Sequence, residues 1–261
     1  MKYNPILLWT RNLVYWVILC VSTTVFFTCL LLSAPLPRRW RHVFGQSWAR
    51  FLIWVLQTVV GLKYRVVGRE HIPDTPSIIC SKHQSGWETM ALQAIFPAQI
   101  YVAKRELLWI PIFGWGLGLM NPIAIDRSNR MRSNQQLLQQ GRERLSHGFW
   151  ITVFPEGTRV KPGTRGKYKL GAARMAKTLN MPLVPVAHNA GEFWPRNSFL
   201  KYPGLITVVI GPAILPEPDL SADQLTKQAE TWIEARQDEI SGVGPCAAKS
   251  QRKPRAYTET V

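Results

Sequence analysis

The stretch Ser77-Ile78-Ile79-Cys80-Ser81-Lys82-His83-Gln84-Ser85-Gly86-Trp87-Glu88 decides the fold. Its apolar start is too short for a helix and reads as a buried strand. Polar turn residues follow, and from Trp87 to Phe96 the apolar spacing becomes helical. The same alternation continues in both directions. Strands are predicted at Leu62 to Val67, Ser77 to Ser81, Gln99 to Ala103, Pro122 to Ile125, Phe149 to Phe154, Pro182 to Ala187 and Leu205 to Ile210. Helices are predicted at Trp87 to Phe96, Leu107 to Leu119, Met131 to Ser146, Leu170 to Leu179 and Ser221 to Ile240. Gly148 is a stop signal, and Ser221 with Gln224 makes a capping box. Strand and helix in alternation predict an α/β fold, with a mixed, largely parallel sheet flanked by helices. Binding residues in such folds gather just past the carboxyl ends of strands.

Upstream of this region the chain changes character. The first acidic residue is Glu70, and an uncharged run extends from Asn12 to Ala34. At 1.5 Å per residue that run is long enough to cross a hydrocarbon core of about 30 Å. It exceeds the apolar core of a usual signal peptide, and Leu32-Ser33-Ala34-Pro35 is a poor cleavage site. From Arg39 to Leu62, Trp40, Phe44, Trp48, Phe51, Val55 and Val59 recur at helical spacing opposite Arg39, His42, Gln46, Arg50 and Gln57. This pattern suits a helix lying in a lipid surface, or one packed on the domain. Residues 1–61 are therefore expected to form an N-terminal membrane anchor of one apolar and one amphipathic helix. Residues 62–241 form the α/β domain, and 242–261 a basic, disordered tail. Four cysteines show no metal or disulfide spacing.

Thirty-two Lys and Arg against sixteen Asp and Glu leave +16 across 261 residues, so the partner is anionic: nucleic acid, a phospholipid surface or a phosphorylated substrate. Hydrophobic residues at 46% exclude a disordered chain. Two turns carry chemistry. A helix that starts between His83 and Glu88 lets the turn fold the carboxylate onto the imidazole, giving a dyad in which Glu88 fixes the tautomer while His83 takes a proton. Alone, the pair also reads as a satisfied structural histidine at a turn. Phe154-Pro155-Glu156-Gly157-Thr158-Arg159 follows another apolar strand. Its glycine admits a ligand to the backbone, Thr158 can donate to an anion, and Arg159 offers a planar fork for phosphate. Glu156 would repel a phosphate, so it is expected to hold Arg159 or accept from a substrate hydroxyl. Trp109 to Gly118 reads as helix packing or as a membrane-facing entrance.

In order, these segments resemble the glycerolipid acyltransferase family, and within it the 1-acyl-sn-glycerol-3-phosphate acyltransferases. Lys82-His83 through Glu88 matches the family's motif of Asn-His, a spacer and Asp, with Lys for Asn and Glu for Asp. Ile123-Ala124-Ile125-Asp126-Arg127 matches the second motif, Phe154 to Arg159 the third in full, and Pro182 to Ala187 the fourth. Lys104-Arg105-Glu106-Leu107 resembles the Lys-x-Glu-Leu segment between the first two. The likeness spans roughly residues 62 to 212.

The resemblance implies transfer of a fatty acyl group from acyl-CoA or acyl carrier protein to the sn-2 hydroxyl of lysophosphatidic acid, giving phosphatidic acid. The donor thioester is a co-substrate, and no cofactor or metal is expected. His83 would be the general base, oriented by Glu88. Lys104, Arg127 and Arg159 would bind the acceptor phosphate, with Gly157 and Thr158 lining the site and Glu156 organising it. The expected partners are the phospholipid membrane and these substrates, not nucleic acid. The expected location is a bacterial inner membrane with the catalytic domain in the cytoplasm, because Arg38, Arg39, Arg41 and Arg50 outnumber Lys2 and Arg11 across the apolar run. Alternatives are a same-fold enzyme for another lysolipid or an acylated amino lipid, or a non-enzymatic basic protein bound to membrane or nucleic acid.

Overall fold

A computed structural model of the chain describes residues 3–35, 37–111, 113–125 and 130–248. The strands are β1 (Leu62–Val67), β2 (Ile78–Ser81), β3 (Gln99–Lys104), β4 (Ile123–Ile125), β5 (Trp150–Val153), β6 (Leu183–His188) and β7 (Gly204–Ile210). They form one sheet in the order β1-β7-β6-β2-β5-β3-β4. Every adjacent pair is parallel except β6 with β7. The carboxyl ends of β2, β3, β4, β5 and β6 therefore share one edge, whereas β7 and β1 run the other way. The central strands β2, β5 and β6 are buried along their whole length, which is why they read as unbroken apolar runs.

The helices are α1 (Pro5–Leu32), α2 (Arg38–Val55), α3 (Trp87–Ile95), α4 (Phe113–Leu119), α5 (Arg130–Ser146), α6 (Gly171–Leu179) and α7 (Ala222–Ile240). One face of the sheet buries Ile79, Val184 and Ile206 with Trp87 and Ala91 of α3 and Leu52 of α2. The other buries Ile78, Ile151 and Leu183 with Leu137 of α5, Met175 of α6 and Ile233 of α7. The capping box forms as expected: Ser221 Oγ accepts from the Gln224 amide, and the Gln224 side chain accepts from the Ser221 amide.

Two helices differ from expectation. The helix predicted at Leu107 to Leu119 is split into a 3-10 turn, Arg105–Trp109, and the separate α4. Pro111 disfavours helical backbone at the residue before it, and Ile110 is extended. In α2 the polar stripe does not all face outward. His42 and Gln46 are buried, with the His42 ring 4.3 Å from that of Phe149 and Gln46 Nε2 donating to the Phe96 carbonyl. Trp40, Val43, Phe44, Phe51 and Trp54 are exposed instead. Amphipathic spacing located the two faces, but the domain beneath α2 supplies polar partners, so the mixed face turns inward.

The tail also begins later than the composition suggests. The Glu192 carboxylate accepts from the amides of Gly242, Val243 and Gly244, and its backbone carbonyl accepts from Cys246 N. Residues 242 to 248 are thereby held on the domain; 249–261 lie outside the described residues. Nor is the N-terminal segment set apart from the α/β core. Tyr15 of α1 and Leu52, Ile53 and Leu56 belong to the same apolar cluster as Ile79 and Trp87.

Candidate active site

The shared carboxyl edge assembles residues that are distant in sequence. β2 delivers Lys82 and His83, β5 delivers Glu156 to Arg159, β3 ends at Lys104, and β6 ends at His188. The turn after β2 does what the His-carboxylate spacing suggested. His83 Nδ1 lies 2.8 Å from Glu88 Oε1, and the amides of Gln84 and Ser85 donate to the same oxygen at 2.9 and 2.8 Å. A carboxylate that accepts two amides is fixed as the acceptor. Nδ1 therefore carries the proton, and Nε2 keeps a lone pair for a substrate proton. Burial pushes the Glu88 carboxyl up, but the neighbouring His188 and His83 and the hydrogen bonds from the His83 ring and the Ser85 amide outweigh it, for a net lowering. The imidazole stacks on Phe154 with centroids 4.0 Å apart, and its side chain is 15% exposed, so the ring is walled on one face and open at the rim.

Backbone bonds hold the histidine in place. His83 N–H donates to Glu156 Oε2 at 2.8 Å, and its carbonyl accepts from Val160 N at 2.8 Å. His188 is fully buried, with Nε2 2.8 Å from the Lys82 carbonyl and Nδ1 accepting from Ala190 N. One ring nitrogen donates and the other accepts, so His188 is a neutral tautomer, and burial lowers its pKa.

Glu156 departs from its expected role. Its carboxylate is buried and pairs with the Lys82 ammonium at 2.9 Å instead of gripping Arg159. Burial raises its pKa, and Lys82 opposes that rise. Arg159 is half-buried: a Cβ added to Gly86 would lie 3.8 Å from its guanidinium, so the cation sits over the turn that follows His83. Thr158 is exposed beside it. Gly157 adopts φ +69°, and Lys169 Nζ fills the space that a side chain there would take, 2.6 Å from the Cβ position. Lys104 is exposed on the same edge and paired with Glu106 at 3.1 Å. Arg127 lies outside the described residues, two positions beyond the end of β4 at Ile125.

Sequence reading missed Lys169, His188 and the partner that Lys82 finds on α7. One signal for Lys169 was available, since no acidic residue occurs between Glu156 and Glu192. Gly116, within the glycine-rich run, packs against the Phe27 ring of α1, which is helix packing. Among the described residues, no group of three or more His, Cys, Asp or Glu side chains could hold a metal ion.

A histidine-carboxylate dyad thus stands at the end of one parallel strand, beside the Gly157-Thr158-Arg159 turn that follows its neighbour in the sheet. The chain belongs to the acyltransferase family, whose model matches residues 63–189. It is 44% identical over 237 residues to the 1-acyl-sn-glycerol-3-phosphate acyltransferase of Pseudomonas aeruginosa, covering 89% of this chain and 92% of that protein. It is 28% identical to the human 1-acyl-sn-glycerol-3-phosphate acyltransferase alpha, covering 79% of this chain and 74% of that one. The crystal structure of the 1-acyl-sn-glycerophosphate acyltransferase from Thermotoga maritima superposes with a TM-score of 0.77 at 21% identity, over 91% of this chain and 98% of that one.

Proposed function

We propose that this protein acylates the sn-2 hydroxyl of 1-acyl-sn-glycerol-3-phosphate, using a fatty acyl thioester of coenzyme A or acyl carrier protein and producing phosphatidic acid. The observation that carries the reading is the His83-Glu88 dyad set beside the complete Phe154 to Arg159 turn in a chain 44% identical to such an enzyme. His83 Nε2 takes the hydroxyl proton as the oxygen attacks the thioester carbonyl, and Glu88 steadies the imidazolium that forms. Collapse of the tetrahedral adduct expels the thiolate, which the same imidazolium can protonate. A thioester is already activated, so the route needs no covalent enzyme intermediate. General-base help supplies about 10²- to 10⁴-fold, and positioning of the acceptor phosphate supplies much of the rest.

Arg159, Lys104 and Arg127 are the cations assigned to that phosphate, and Lys169 joins them through its place over Gly157. Thr158 adds a hydroxyl donor at the rim. The exposed aromatic side of α2 and the apolar α1 bring the site to a membrane surface, where the acceptor resides. We place that surface on the cytoplasmic side of a bacterial inner membrane, since acyl thioesters are made in the cytoplasm. The test is thiol release by the purified protein from an acyl-CoA series and from acyl carrier protein, with and without lysophosphatidic acid. Release that depends on lysophosphatidic acid supports the reading. Release that prefers a phosphate-free lysolipid or an acylated amino lipid refutes the acceptor.

A further inference from the structure

Where the family motif has a neutral Asn, this chain has Lys82, and its side chain is fully buried. Successive residues of an extended segment point to opposite sides, so His83 faces the open edge while Lys82 points inward. The ammonium donates to Glu234 Oε1 at 2.6 Å and to the Thr164 carbonyl at 3.5 Å, and it forms an ion pair with Glu156 Oε1 at 2.9 Å. Glu234 lies on α7, 152 positions further along the chain. The Tyr168 hydroxyl donates to it at 2.9 Å, and Arg165 approaches its second oxygen at 3.7 Å. The far end of this chain of contacts is the base, because the other oxygen of Glu156 accepts the His83 N–H.

We propose that Glu234 is a positioning residue for the base: it balances the buried Lys82 ammonium, which in turn fixes the Glu156 carboxylate that holds the His83 backbone. The inference rests on His83 being the base. A buried ammonium needs both charge balance and geometry, and removing one member of such a cluster leaves an uncompensated charge. Returning Lys82 to the family's Asn is therefore harmful in this chain. It leaves Glu156 and Glu234 facing each other across a neutral amide, with nothing to keep Glu156 turned toward His83. Removing the charge of Glu234 as well makes the amide acceptable again. The groups that set the charge of Glu156 are Lys82 and the His83 amide, just past β2, and Glu234 from α7; Cys80 of β2 and the Tyr168 hydroxyl from the loop before α6 also face it.

The test is a cycle of K82N, E234Q and the double variant in the full-length protein, with H83A alongside. The measurements are kcat, KM for lysophosphatidic acid and for acyl-CoA, melting temperature, and the pH dependence of kcat. K82N is expected to lose at least about tenfold in kcat with both KM values little changed. The double variant should recover to within about threefold of the parent. E234Q removes an anion beside Glu156, so the acid limb of kcat moves to lower pH; this variant keeps the Lys82-Glu156 pair and carries the test if K82N fails to fold. A double variant no better than K82N overturns the proposal. So does a change confined to melting temperature, or an E234Q profile that superposes on the parent. Full activity in H83A removes the base assignment itself, whereas an inactive H83A with a flat cycle removes only the role of Glu234.

Discussion

At the residue scale, the dyad makes separate demands on its two members. Among the described residues, His83→Ala removes the one imidazole at the edge that is hydrogen-bonded to a carboxylate, so turnover should fall by at least about 10² while the protein still folds. A kcat within about tenfold of the parent would dismiss His83 as the base. Glu88→Asp should keep more activity than Glu88→Gln, because Gln cannot stabilise an imidazolium; equal rates for Glu88→Gln and the parent would take Glu88 out of the dyad. Arg159→Lys exchanges a planar fork for a point charge and should raise KM for lysophosphatidic acid by about tenfold. A phosphate-free lysolipid should be nearly unaffected, and an equal loss on both acceptors would make Arg159 structural. The dyad was legible in the sequence because His83 and Glu88 are close neighbours whose geometry one turn decides. Glu156 was misread because its partners are remote in sequence: Lys82 follows the neighbouring strand and precedes His83, which is itself 73 positions before Glu156, and Glu234 sits on a helix near the other end of the chain. The sequence shows which carboxylate is near an anion site, but not which cation has already claimed it.

At the scale of elements, α1 is fastened to the domain by a lysine in a setting that periodicity does not reveal. Lys201 Nζ lies 3.6 Å from the Trp16 ring centroid, 4.6 Å from Trp194 and 4.9 Å from Tyr15, and it donates to the Phe199 carbonyl. Asn12 of α1 exchanges two hydrogen bonds with the Lys201 backbone, at 2.7 and 2.9 Å. No carboxylate is paired with this ammonium among the described ion pairs, and burial lowers its pKa to about 7. Between that value and the ordinary lysine value of about 10.4, the unfolded chain holds a proton that the folded one has released. Stability therefore rises with pH across that window. The melting temperature in detergent should climb between pH 7 and 10, and Lys201→Met should flatten the climb; parallel curves for the two proteins would assign it to other groups. The strands were legible to within about two residues because each is a short apolar run bounded by turn residues. The order of the strands was not, since pairing across crossovers depends on contacts far apart in sequence. The inward turn of His42 and Gln46 was hidden for the same reason: the amphipathic pattern cannot say whether lipid or protein covers the mixed face.

At the scale of the whole molecule, the question is whether α1 crosses the membrane. By length and composition it can, and its 28 residues carry a mean hydropathy of 2.1 over the most apolar window. Charge placement is compatible with a span or with a pair of helices in one leaflet. The packing separates these two arrangements. Near its start, Trp16 Nε1 donates to the Phe199 carbonyl, and Trp9 and Trp16 both stack on the Phe199 ring. Near its end, Phe26 stacks on Trp48 of α2 with centroids 4.7 Å apart, and Phe27 packs on Gly116 of α4. Both ends are thus tied to the body that carries His83, and a crossing helix would have to surrender one set. The outer face of α1 exposes Leu13, Val17, Val21 and Val25, continuing the apolar side that α2 presents through Phe44, Phe51 and Trp54. Exposed apolar faces on both helices suit insertion into a single leaflet, and that is the arrangement we propose over a span. A tag before Met1 should then be shielded from impermeant reagents in intact cells, as should a tag after Val261, and both should become reactive once the inner membrane is permeabilised. Labelling at Met1 alone in intact cells would establish the span and require α1 to leave the domain. Labelling at Val261 in intact cells would separate the site from cytoplasmic thioesters, and the donor assignment would fall with it.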